Sequence, residues 1–174
     1  GELLVPSEGH FLQHTKVAGR EDPQLAAADI AVWQVESMES GHTYLIGPGS
    51  TTATIMQELH LPNTLLGVAV VRGRILIAAD ANERRRLELL AEAPGPAHIL
   101  VTVIGGQGYL FGRGNQQFSP AVIRAVGLDN ITIVAAKAKI AGLAGRPLLV
   151  DTNDTQLDRQ LCGLRKITSG YDDH

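Results

Sequence analysis

The chain has a single cysteine, Cys162, so it cannot build a disulfide framework of its own. One lone thiol fits a reducing compartment, and a cytoplasmic location is the expectation. Positive charge is not in excess: 15 Lys and Arg stand against 18 Asp and Glu, for a formal net charge of −3. That balance argues against a nucleic-acid partner held mainly by phosphate neutralisation. No apolar run approaches the roughly 20 residues of a membrane span. Internal repeats, low-complexity tracts and dividing linkers are missing too. The chain opens at Gly1 without a methionine or a leader-like apolar segment, which reads as a trimmed piece with sequence missing upstream.

What is present is 174 residues, 44% of them hydrophobic. This reads as one domain spanning 1–174, long enough to bury roughly 70% of the surface its unfolded form exposes. Low net charge and abundant leucine and β-branched residues exclude disorder.

Strand-like and helix-like segments alternate. Residues 3–5 and 11–17 read as a short antiparallel pair. Asp22-Pro23 opens a helix to about Ser37, with Leu25, Ala28, Val32 and Val35 on its apolar side. Thr43-Tyr44-Leu45-Ile46 is a buried strand, followed by Gly47-Pro48-Gly49-Ser50-Thr51-Thr52 and a second helix to about Leu59. Residues 65–71 and 75–79 flank Arg72-Gly73-Arg74 as a hairpin. Asn82 caps a helix over 83–93 striped with Leu87, Leu90 and Ala91, and Arg84-Arg85-Arg86 reads as its solvated face. Strands follow over 98–104, 131–135, 148–150 and 164–168. Ser119-Pro120 and Thr155 open further helices, stopped by Gly127 and Gly163. The expected fold is α/β: a mostly parallel, Rossmann-like sheet with helices on both faces and the short N-terminal antiparallel pair.

Three segments carry chemistry. The first is the turn of Gly47, Gly49, Ser50, Thr51 and Thr52 between a strand and a helix. Its glycines let backbone approach an anion while N–H groups and hydroxyls donate. No lysine follows at Walker A spacing, and the alternative is a plain turn with Ser50 or Thr51 as helix cap. The second runs from Gly105, Gly106, Gln107 and Gly108 through Tyr109-Leu110-Phe111 to Arg113, Asn115, Gln116 and Gln117. Its amides suit a base or ribose edge, and Arg113 suits a phosphate or carboxylate; a glycine-rich connection packing its own aromatics is the alternative. In the third, Lys137 is a candidate phosphate contact, while Asp80, Asn82 and Asp151 are ribose or metal candidates. Asp154 reads better as a helix cap. His10 and His14 lack the glutamate of a metalloprotease helix, and Cys162 reads as a buried residue in a helix. Spacing alone assembles no catalytic residues and assigns no firm metal ligand.

On these residues the chain resembles the C-terminal part of the predicted ATP-NAD kinase family, including its acetoin-catabolism-associated relatives. The likeness runs from Leu4-Val5-Pro6 to Gly170-Tyr171. It is most specific at Tyr44-Leu45-Ile46-Gly47-Pro48-Gly49-Ser50-Thr51-Thr52, Leu65-Leu66-Gly67-Val68, Asp80-Ala81-Asn82-Glu83, residues 104–117 with Ser119-Pro120, and Arg146-Pro147-Leu148-Leu149-Val150-Asp151-Thr152. The resemblance implies nucleotide binding (NAD or ATP) for phosphoryl transfer to the ribose 2′-hydroxyl of NAD. ATP or polyphosphate would be the donor, with Mg²⁺. The family's upstream Gly-Gly-Asp-Gly-Thr motif is absent from this chain, implying a missing N-terminal catalytic domain. Ala69 stands where an aspartate is expected, and Asn153 where a glycine is expected. The family also implies a strand-rich domain, against the α/β alternation. The Gly-x-Gly-x-Thr-Thr turn is similar to that of phosphosugar isomerases and sugar-responsive repressors, so a non-catalytic module sensing a phosphorylated sugar or nucleotide is the alternative function. A phosphosugar isomerase-like enzyme acting alone ranks third. A homo-oligomer is compatible with all three.

Overall fold

The computed structural model describes residues 23–62, 67–79, 82–102, 109–111, 118–135, 149–150, 154–162 and 167–168. The N-terminal strand pair expected over 3–17 lies outside them. In chain order the elements are α1 (Pro23–Ser37), β1 (Thr43–Ile46), α2 (Ser50–Glu58), β2 (Ala69–Arg72), β3 (Ile75–Ala78), α3 (Glu83–Ala91) and β4 (Ala97–Val101). They continue as β5 (Tyr109–Phe111), α4 (Pro120–Val126), β6 (Ile131–Val134), β7 (Leu149–Val150), α5 (Thr155–Cys162) and β8 (Ile167–Thr168).

Thr43-Tyr44-Leu45-Ile46 offers apolar bulk to both faces of a pleat, and every residue of β1 is buried. Successive side chains go to opposite faces, which divides the core in two. Leu45, Val70, Ile99, Val101, Ile131 and Ile133 pack on one face with Leu89 of α3, Val122 and Ile123 of α4, and Leu157 and Leu161 of α5. Tyr44, Ile46, Val71, Leu100 and Val134 pack on the other with Ile30 and Val35 of α1 and Ile55 and Met56 of α2. Helices cover both faces, as the alternation predicts. Ile30 and Ile55 have no exposed surface, and each such side chain contributes roughly 1.5–3 kcal/mol.

The sheet is mixed rather than mostly parallel. Its six strands run in the order β3-β2-β1-β4-β6-β8. β1, β4, β6 and β8 are parallel to one another. β2 is antiparallel to β1, and β3 to β2. The reason is the Arg72-Gly73-Arg74-Ile75 hairpin: Gly73 and Arg74 both have positive φ, 61° and 62°, the conformation of a two-residue turn that reverses the chain in place. Arg74 Nη2 donates to the carbonyl of Val35, 3.2 Å away in the last turn of α1. A second, two-stranded sheet pairs β5 with β7 in parallel, Tyr109 opposite Leu149 and Phe111 opposite Val150.

Three sequence readings need correction. On α1 the buried stripe is Ala26, Ile30, Ala31, Gln34 and Val35, while Leu25 is 65% exposed. Helical spacing fits both stripes, and contact with α2 selects the one containing the small alanines. On α3 the inward residues are Arg86 and Leu89, with Leu87 and Leu90 partly buried against the core. Arg86 is therefore not solvated; burial lowers its guanidinium pKa, opposed by nearby Glu83. Arg84 and Arg85 do face water, each beside Glu88.

Candidate functional site

Strand direction decides where the candidate residues go. β3 runs with β1, β4, β6 and β8, so the C-terminal ends of all five strands share one edge with the N-terminal end of β2. From that edge the chain leaves β1 into Gly47–Ser50, β3 toward Asp80 and Asn82, β4 toward the 105–117 segment, and β6 toward Lys137. β1 is the strand where the order of connection reverses: the chain passes from it to β2 on one side and later returns to β4 on the other. In open α/β sheets, ligands bind in the crevice at such a reversal.

The 47–52 turn sits in that crevice. Gly47 donates its N–H to the Leu100 carbonyl at 2.9 Å, carrying the β1–β4 ladder one residue past β1. A Cβ on Gly47 would lie 3.0 Å from the Phe118 ring. Gly49 has φ 136° and ψ 164°, a region essentially reserved for glycine. A Cβ there would stand 2.4 Å from the Thr102 methyl. Two separate constraints therefore demand glycine at this position.

Gly49, not Ser50 or Thr51, is the N-cap of α2, and no side chain caps the helix. The first intrahelical bond comes from Ala53 N–H to the Gly49 carbonyl at 3.0 Å. The N–H groups of Ser50, Thr51 and Thr52 precede it, at the positive end of the helix dipole. Thr52 is fully buried and donates its hydroxyl to the Gly49 carbonyl at 3.2 Å. Ser50 is exposed and Thr51 half-buried. Of the hydroxyls proposed as ligand donors, that of Thr52 is thus already engaged within the turn.

Asn82 is drawn into the fold. Its Oδ1 accepts from Arg85 N–H at 2.8 Å as the N-cap of α3. Asp154 caps α5 by accepting from Leu157 N–H at 3.0 Å, and pairs with Arg124 Nη2 at 2.7 Å. The helix-end N–H, then Arg124, hold its carboxyl below the usual range. Gly105, Gly106, Gln107, Gly108, Arg113, Asn115, Gln116, Lys137, Asp80 and Asp151 lie outside the described residues. β5, within the glycine and amide segment, pairs with β7, whose Val150 immediately precedes Asp151. Among the described residues, no three His, Cys, Asp or Glu side chains group as a metal site.

Residues not foreseen also line this edge. Thr102 and Phe118 are 6% and 3% exposed and back the two glycines of the turn. Ser119 Oγ donates to Glu83 Oε2 at 2.7 Å. Thr102 read as one more strand residue, and no sequence signal marks it. The other end of the strands is closed by His42 Nδ1 and His98 Nε2, 2.9 Å apart, with the Tyr44 ring stacked on His98.

A family model for the ATP-NAD kinase C-terminal domain matches residues 39–174. The chain belongs to this family. The match takes in the 47–52 turn, the 105–117 segment and every strand of both sheets, and α1 precedes it. No curated protein and no solved structure matches the chain. Among the described residues, no helix of this family member is long and apolar enough to cross a membrane.

Proposed function

We propose that this domain is the C-terminal, nucleotide-binding part of an NAD kinase-like phosphotransferase. It would bind NAD or ATP for phosphoryl transfer to the ribose 2′-hydroxyl of NAD. The observation that carries the reading is Gly49: a glycine-only conformation at an uncapped helix N-terminus, seated at the reversal point of the sheet. In this reading, Gly49, Ser50 and Thr51 hold a phosphate through backbone N–H groups, while Gly47, whose own N–H goes to the Leu100 carbonyl, lets the turn approach closely. Gly105, Gly106, Gln107, Gly108, Arg113, Asn115 and Gln116 contact the nucleoside, Lys137 neutralises phosphate, and Asp80 or Asp151 takes a ribose hydroxyl or Mg²⁺. Asn82 is better assigned to the α3 cap. The chain 1–174 acts as one domain and works with an N-terminal catalytic domain that supplies the Gly-Gly-Asp-Gly-Thr motif; the setting is cytoplasmic.

Calorimetric titration with ATP, NAD and NADP, each with and without Mg²⁺, tests this. Micromolar binding of any of them supports a nucleotide site. Absence of binding to all, with saturable binding of a sugar phosphate, refutes it.

One observation favours a second reading. Ala69, where the family leads one to expect an aspartate, is buried at 1% exposure and pairs with Ile46, the residue before Gly47. A methyl group beside the turn can neither accept a proton nor hold a metal, which suits a module that binds its phosphorylated ligand without turnover. Binding without phosphoryl transfer after the upstream half is restored would select that reading.

A further inference from the structure

We propose that Glu83 is a positioning residue for the 47–52 turn, acting through Ser119 and Phe118; this rests on the reading of that turn as the anion site. Ser119 lies where two helices begin. Its Oγ caps α4, accepting from Val122 N–H at 3.3 Å, and donates to Glu83 Oε2 at 2.7 Å, in the first turn of α3. A serine hydroxyl has one proton to give, and this one is committed to the carboxylate. The residue before it, Phe118, is 3% exposed, and its ring lies against Gly47 where a Cβ would stand 3.0 Å from Cε2. Glu83 therefore fixes Ser119, Ser119 fixes the backbone next to Phe118, and the Phe118 ring forms one wall of the Gly47 position. Arg86, one turn along α3, is 6% exposed and feels the Glu83 charge. The exposed Glu83 carboxylate thus meets the start of α4 through a charge-assisted hydrogen bond while feeling the Arg86 charge. Phe118 and Ser119 are also the residues that follow the 105–117 segment in the chain, directly ahead of α4.

The test compares Glu83→Ala, Glu83→Gln, Ser119→Ala and Ser119→Thr by proton–carbon NMR of the full chain. Gly47 Hα, close to Cε2 and Cζ of the Phe118 ring, serves as the reporter. ATP affinity and the melting curve are measured in parallel. Glu83→Gln keeps an oxygen that accepts from Ser119, and Ser119→Thr keeps the hydroxyl, so both retain the wild-type Gly47 ring-current shift and ATP affinity. Glu83→Ala and Ser119→Ala lose at least half of that shift, and ATP binds about fivefold more weakly, the equivalent of one net hydrogen bond. An unchanged Gly47 signal in both alanine variants overturns the proposal. So does Glu83→Gln behaving like Glu83→Ala, since the effect would then belong to charge opposite Arg86. A wild-type chain that binds no nucleotide but shows the expected Gly47 pattern removes the nucleotide reading and supports the positioning role.

Discussion

Replacing Gly49 with alanine tests the turn most directly. Two costs arise separately. Holding a non-glycine residue at φ 136°, ψ 164° costs about 1–3 kcal/mol. The new Cβ, built 2.4 Å from Thr102 Cγ2, must push a side chain that is 6% exposed, and overpacking of this kind costs about 1–3 kcal/mol. The expected sum is about 2–6 kcal/mol, a fall in melting temperature of roughly 4–24 °C for a chain this long. Thr102→Ser deletes only the offending methyl. In that background Gly49→Ala should cost about 1–2 kcal/mol less, with the remainder being backbone strain. Urea unfolding of the four proteins in the cycle measures both parts. A Gly49→Ala shift below about 2 °C, or zero coupling to Thr102→Ser, would refute the geometry described for the turn. Gly49→Val adds branching to the same conflict, so it should abolish nucleotide binding at a larger cost to stability.

Asp154 predicts a pH effect. Its folded-state carboxyl titrates below its unfolded value, held down first by the Leu157 N–H and then by Arg124. The stabilisation is therefore complete above the unfolded value, near 4, and is lost as pH falls through the folded one. The gap in melting temperature between wild type and Asp154→Asn should be constant from neutral pH down to about 5 and close below about 4; a gap that widens on acidification contradicts this. The arginines of α3 should separate: Arg86→Ala costs about 2–3 kcal/mol through lost packing and an abandoned polar pocket. Arg84→Ala and Arg85→Ala each stay within about 0.5 kcal/mol, and equal costs in a thermal melt would contradict the burial pattern. Gly73→Ala, at φ 61° with nothing within 4 Å, should cost about 1 kcal/mol from backbone strain alone, seen as a small drop in urea midpoint without loss of ligand binding.

Local chemistry was enough to determine most of the elements. The Ser119-Pro120 and Asn82 helix starts, the Gly127 stop and the Arg72-Gly73-Arg74 reversal each follow from a residue's own dihedral or hydrogen-bonding preference. Glycine at 47 and 49 marked the turn for the same reason. Whatever depended on a neighbour distant in sequence was decided only by tertiary structure. Helical spacing could not choose between the two stripes of α1, or show that Arg86 turns inward while Arg84 and Arg85 do not. Nor could it show that β2 runs against the other five strands of its sheet, because direction depends on which edge a strand joins. Thr102 and Phe118 become site residues only because β4 lies beside β1 and α4 follows it. A backbone turn needs only its own glycines to be legible, but the wall behind it is built from strands that meet in space.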